Sequence, residues 1–233
     1  VAPADPSSWF LSYGDLTGLP QRPTSLVLHS WDDAGWRFIN RAYDDIEGMT
    51  VAGVSQQVLD RYSGWAKEKN HKMVGVMTPP VSEFCSAKGV FDPKGRIVVG
   101  WMGRPLESKG LMTLPYLLEA EPRMVIRAWT GAETAGLDYT QRVQAEALAK
   151  VKALAEKLGV SDRLDIRPLD FNPFNYRHRL EGCHALLGNS EKEGFLLTAA
   201  EALSCGIPVV VTKTCGIADF IKNGHNGYLI DWN

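Results

Sequence analysis

Residues 191–211 constrain the fold of this chain more than any other stretch, because they write out a loop, a short helix and a buried strand in succession. Glu193 and Gly194 open the run. Residues 195–204 are rich in helix formers, Cys205-Gly206 is a stop signal, and residues 207–212 are apolar and β-branched. A helix that opens after a glycine presents unpaired N–H groups and a positive dipole end, an arrangement suited to a phosphate. Glu201 lies inside that helix, eight residues after Glu193. Glu193 precedes the first turn, so the two need not share a helical face. One carboxylate can sit at the loop mouth while the other reaches around the helix flank. From spacing alone, the commoner fate of such a pair is two solvated glutamates on an ordinary αβ unit.

The chain has 233 residues, 45% hydrophobic and 22% charged, enough for one large domain or two small ones. A net charge of −2 with no Lys/Arg block argues against a nucleic-acid partner. No apolar run approaches a membrane span, and no secretory signal opens the chain. Cys85, Cys183, Cys205 and Cys215 show no CxxC pair and no ligand spacing with the five histidines. The expectation is therefore a reduced, cytoplasmic chain with no metal site. The start at Val-Ala-Pro and the stop at Asp231-Trp232-Asn233 read as the ends of a fragment.

Taken in order, the prolines and glycines of residues 1–23 predict irregular chain. Residues 26–28 read as a buried strand ending at His29, which by itself is more often a structural hydrogen-bonder than a catalyst. Asp32 and Asp33 follow, each a candidate for a site or for the N-cap of a helix over 36–46. Residues 49–55 predict a strand, 56–68 a helix with Ser55 as N-cap, and 73–77 another strand. Thr78-Pro79-Pro80 then stops the strand and stiffens a crossing. These features place one domain at 1–77, a linker at 78–94 and a second domain at 95–233.

The second domain opens with a strand over 97–101, followed by Gly103-Arg104-Pro105-Leu106-Glu107-Ser108-Lys109-Gly110. Arg104 and Lys109 are cations on a glycine-bracketed loop after a strand. They can serve as a planar fork and a point charge for a diphosphate, or stand as ordinary surface charges. A helix over 111–120, a strand over 123–130 and a long helix over 140–158 follow. In the long helix, Ala145, Leu148, Val151, Leu154, Ala155 and Leu158 suggest a core stripe, and Lys150, Lys152 and Lys157 a solvated face. Further strands are predicted over 164–169, 185–187 and 228–230, a helix over 176–183, and turns at Gly224 and Asn226-Gly227. Strands alternating with helices predict an α/β domain, a Rossmann-like parallel sheet with helices on both faces, plus a partial second α/β domain.

Glu193-Gly194-Phe195, a second glutamate eight positions on at Glu201, and Ala202-Leu203-Ser204-Cys205-Gly206-Ile207-Pro208-Val209 resemble the E-x7-E motif of retaining GT-B glycosyltransferases, especially glycosyltransferase family 4. Gly103-Arg104 with Lys109-Gly110 resembles the diphosphate-binding pair of that family. Thr214-Cys215-Gly216-Ile217-Ala218-Asp219 resembles its Gly-Gly-Ile-x-Glu loop. The chain departs from the family at Leu196, where glycine is usual, at Asn189-Ser190, where Pro-Ser is frequent, and at Cys215 and Asp219.

The resemblance implies a GT-B fold and transfer of a sugar from a nucleotide-diphosphate donor, a UDP- or GDP-sugar, to an acceptor hydroxyl with retention. It implies no obligatory metal and no other cofactor. Arg104, Lys109, Glu193 and His29 would carry the chemistry, with Glu193 at the donor sugar and Glu201 at the ribose. Gly103, Gly194, Phe195, Leu196, Leu197 and Glu201 would bind the nucleotide sugar. The acceptor, a saccharide, lipid or natural product, is left open. There is room for peripheral membrane contact through a region N-terminal to this chain. A nucleotide-sugar epimerase of the same architecture and a non-catalytic nucleotide-sugar-binding module are the alternatives. Free isomerised product without acceptor would mark the first, and binding without turnover the second.

Overall fold

In a computed structural model of the chain, residues 8–10, 25–28, 47–79, 81, 92, 94–131, 139–168 and 178–232 are described. His29, Asp32, Asp33, Cys85, the expected helix over 36–46 and most of the expected linker lie outside them. The chain divides into two compact units. The first comprises Val1–Pro80 with Lys192–Leu196 and Cys215–Asp219; the second comprises Val81–Glu191, Leu197–Thr214 and Phe220–Asn233.

In the first unit, β1 (Ser8–Phe10), β2 (Ser25–Leu28), β3 (Thr50–Gly53) and β4 (Lys72–Val76) form a parallel sheet in that order. Helix α1 (Gln56–Glu68) joins β3 to β4, and Ser55 caps it as expected, accepting from Val58 N–H at 3.3 Å. The helix buries Val58, Leu59, Tyr62, Trp65 and Ala66. A fully buried side chain of the larger kinds contributes about 1.5–3 kcal/mol, so this face holds the layer together.

His71 is packed under the same helix. Its Nδ1 accepts from the Met49 N–H at 3.1 Å, and its ring meets the Trp65 indole edge-on at 4.4 Å between centroids. Burial and the nearby Lys69 charge hold the imidazole below its usual 6.5, with Glu47 pulling weakly the other way. The folded pKa is depressed, so this contribution to stability is complete above 6.5 and is lost as pH falls below it. Melting temperature is therefore expected to fall as pH drops through 6.5, and His71→Gln should flatten that part of the profile. An unchanged slope in the variant would assign the acid sensitivity elsewhere.

The second unit carries β5 (Ile97–Met102), α2 (Leu114–Ala120), β6 (Met124–Thr130), α3 (Tyr139–Lys157), β7 (Leu164–Pro168), β8 (Ala185–Gly188), α4 (Leu197–Ser204), β9 (Val209–Thr212) and β10 (Gly227–Ile230). Its six strands are all parallel, in the order β10-β9-β8-β5-β6-β7. The order reverses between β5 and β8. In a doubly wound sheet the usual ligand position lies outside the carboxyl ends of two such neighbours. Val99, Trp101, Ile126 and Ala128 of the central strands pack with Leu114 and Leu118 of α2 and with Val151 and Ala155 of α3.

Several expected boundaries move. The chain over 111–120 begins as a 3-10 turn, Leu111–Thr113, and becomes α-helical at Leu114, with Pro115 in the first turn where its missing N–H costs nothing. On α3 the stripe includes Ala147, which is buried, and excludes Ala145, which is exposed. At about 100° per residue, Ala145 lies roughly 120° away from Val151, beyond the core-facing arc. Residues 178–182 form turns rather than the end of a helix, closed by the Glu181 N–H to His178 O bond and by Gly182 at φ +71°. The start of that expected helix lies outside the described residues.

Candidate functional site

The loop after β5 and the segment after β8 emerge side by side, because these strands are adjacent and parallel, with Trp101 opposite Leu187. Arg104 is exposed. Among the described residues its guanidinium makes no hydrogen bond or ion pair. Lys109 is half-buried and ends a 3-10 turn, Glu107–Lys109, whose closing bonds are Lys109 N–H to Leu106 O at 3.1 Å and Gly110 N–H to Glu107 O at 2.8 Å. The Gly103 N–H donates to the Trp129 carbonyl at 3.2 Å, so that backbone donor is committed to the sheet edge.

β8, α4 and β9 form one crossover unit, so the amino end of α4 faces the same carboxyl edge as the β5 loop. The sheet thus brings Arg104, Lys109 and this helix mouth to one edge. Glu201 sits half-buried one turn into α4; its carbonyl accepts from the Ser204 hydroxyl at 2.7 Å and from the Cys205 N–H at 3.2 Å. The helix begins at Leu197, two residues later than the composition suggests. Leu196 is the reason: its φ of +81° lies in the left-handed region, which no helix continues. This is the position where glycine is usual in the family the motif resembles, and leucine there costs about 1 kcal/mol or more of backbone strain. Leu197 itself is exposed at the helix start.

Glu193, Gly194, Phe195 and Leu196 belong to the first unit. They are held there by the segment 215–219, which the sequence presents as a separate loop. Glu193 pairs with Cys215 as an isolated parallel bridge, the Gly216 N–H donates to Glu193 O at 3.0 Å, and the Ile217 N–H donates to Phe195 O at 2.8 Å. A Cβ on Gly216 would stand 2.1 Å from the Gly194 carbonyl and 2.5 Å from the Ser55 hydroxyl, so only glycine fits. Buried Cys215 replaces the other glycine of that loop without such a conflict. Phe195 is buried, and Glu193 and Gly194 are partly exposed.

Sequence reasoning noted Asn189 only as a departure from Pro-Ser and gave it no role. It directly follows β8, is 5% exposed, and accepts from the Trp101 indole N–H at 2.9 Å. Its amide NH₂ donates to Gly110 O at 3.0 Å and to Thr113 Oγ1 at 2.5 Å, and the Thr113 hydroxyl donates to Gly110 O at 2.7 Å. Gly110 sits at φ +75°, and a Cβ there would lie 2.3 Å from the Asn189 amide nitrogen. The only signal in the sequence is a polar residue closing a buried strand; its partners lie 76 to 88 positions away.

The parallel sheets with flanking helices define an α/β fold of GT-B type. Solved structures that share it include the following two. Sucrose-phosphate synthase from Thermosynechococcus elongatus superposes with a TM-score of 0.71 at 18% identity, over 90% of this chain and 55% of that one. HepE from Anabaena, solved with UDP and glucose, gives 0.69 at 17% identity, over 89% and 57%. Within the chain, residues 134–233 match the family described as Glycosyl transferases group 1. Among curated relatives, the D-inositol 3-phosphate glycosyltransferase of Streptomyces bingchenggensis is 27% identical over 146 residues, 59% of this chain and 30% of that protein. The chain spans well under half the length of the curated relatives it matches. Among the described residues no helix is long and apolar enough to cross a membrane.

Proposed function

We propose that this chain is the donor-binding part of a retaining glycosyltransferase of family 4 type that takes a nucleotide-diphosphate sugar. The observation that carries the reading is the pair Arg104 and Lys109 on the loop at the sheet's switch point, beside the amino end of α4. The glycosyltransferase match over 134–233, and a structural neighbour solved with UDP and glucose, support it.

As the bond between the anomeric carbon and the diphosphate breaks, negative charge develops on the leaving group. Arg104 and Lys109 offer fixed positive charge there, and the unpaired N–H groups of α4 add their dipole. Such preorganised electrostatics supplies the stabilisation that a metal would otherwise provide, so the reaction is read as metal-independent. Glu201 takes the ribose hydroxyls. Glu193 takes hydroxyls of the donor sugar, with the backbone around Gly194, Phe195, Leu196 and Leu197 approaching it. Gly103 contributes by the close passage of its backbone, and His29 keeps the role that the resemblance implies, positioning the donor sugar or the acceptor. The domain roles follow: residues 95–233 for the donor, 1–77 for the acceptor side, 78–94 between them. No side chain is assigned as a covalent nucleophile.

Calorimetric titration with UDP, GDP and ADP tests the first half of the reading. One of these should bind, and binding should weaken with added salt. The matching donor sugar, incubated with acceptor hydroxyls, should yield a product of unchanged anomeric configuration by NMR. Isomerised sugar nucleotide in the absence of acceptor would make the protein an epimerase. An inverted product would remove the retaining mechanism.

A further inference from the structure

We propose that Asn189 is a positioning residue for Lys109, acting from the end of β8 on the diphosphate-facing loop. The inference rests on the reading above, in which Lys109 meets the diphosphate. The carbonyls of the residues before and after Lys109 are held from one segment. Ser108 O accepts from the Glu191 N–H at 2.7 Å, and Gly110 O accepts from the Asn189 amide at 3.0 Å. Lys109 is therefore flanked by two bonds that cross between the segments following β5 and β8, and is not held by its own turn alone.

The orientation of the amide follows from its partners. An indole N–H can only donate, so the atom facing Trp101 must be the Asn189 oxygen, and the NH₂ must face Gly110 O and Thr113 Oγ1. All its bonds are made inside the protein, and the side chain is buried, so none is exchanged for water at low cost. Arg104 is anchored from elsewhere: the preceding Gly103 N–H is held by Trp129 O on β6, not by the segment after β8. Arg104 is exposed, and its carbonyl accepts only the local Leu106 N–H, at 2.8 Å. Asn189 thus bonds the residue next to one cation of the pair and none next to the other.

The test is a pair of double-mutant cycles, read by calorimetric titration with whichever of UDP, GDP or ADP the wild-type protein binds. Lys109→Ala and Asn189→Ala should each weaken binding roughly tenfold, the range of a charge-assisted bond. The double variant should be no weaker than about the worse single one, because Asn189 acts through Lys109. Asn189→Ala with Arg104→Ala should instead multiply the two single effects. Equal non-additivity with both cations would mean a general loosening of the loop and would overturn the proposal, as would simple additivity with Lys109. Should Asn189→Ala fail to fold, Thr113→Val, which removes one acceptor of the amide, carries the same cycles and the same expectations. Failure of the wild-type protein to bind any of the three nucleotides would overturn the underlying reading and this proposal with it.

Discussion

Arg104→Ala combined with Lys109→Ala is expected to lower sugar transfer by about 10³-fold or more while the melting temperature barely moves. Loss of one preorganised donor facing developing negative charge costs about 10²–10³ in rate. Two such losses on one leaving group leave the α4 mouth as the remaining source of stabilisation, so the double variant should fall at or below the worse single one. Stability is spared because Arg104 is exposed and Lys109 only half-buried, and neither contributes to the core beneath the loop. Surface substitutions of this kind shift stability by about 0.5 kcal/mol or less. Steady-state turnover with the identified donor, together with thermal melts of the same samples, checks both halves. Unchanged turnover in a well-folded double variant would remove the leaving-group role and, with it, the proposed mechanism.

Gly110→Ala should do the opposite, damaging the fold first and the site through it. Two penalties fall on this position. A left-handed backbone at φ +75° costs an L-residue about 1–2 kcal/mol. The added Cβ would also stand 2.3 Å from the Asn189 amide nitrogen and 2.4 Å from the Asn189 carbonyl oxygen. A side chain alone can rotate away; the backbone atom has no such freedom, so the loop must shift and the Asn189 bonds break. Together these predict a loss of about 3 kcal/mol or more in chemical denaturation, with nucleotide binding lost in parallel. Gly159→Ala is the control, because Gly159 shares the conformation, φ +66°, but nothing lies within 4 Å of the Cβ it would acquire. It should lose only about 1–2 kcal/mol. Equal losses in the two variants would show that backbone strain, and not the contact with Asn189, dominates at Gly110.

The helix α1 with its Ser55 cap, the alternation of strands with helices in the second unit, and the cationic loop after β5 were all legible in the residues. Each is announced locally: by a capping residue ahead of an apolar period, by β-branched runs closed with glycine, or by charges set between glycines. The start of α4 was misread because composition counts Phe195 and Leu196 as helix formers. Only the coordinates reveal that Leu196 holds the left-handed φ that delays the helix to Leu197. Ala145 was misread for a related reason. Three-residue steps alone do not keep phase with a helix of 3.6 residues per turn, and Ala147 takes the core position instead.

By itself the sequence determined which residues could face an anion and which segments had to be strands and helices, since propensity, capping and charge act over a few positions. Tertiary structure decided which of them meet. The reversal of strand order between β5 and β8 sets the Lys109 loop beside the segment that follows β8. The bond from Asn189 to Gly110 and the packing of Gly194 on Gly216 also exist only because chain segments far apart in sequence are brought together. Such contacts depend on strand order and on the space left by a missing Cβ, and neither quantity is written in any local stretch of residues.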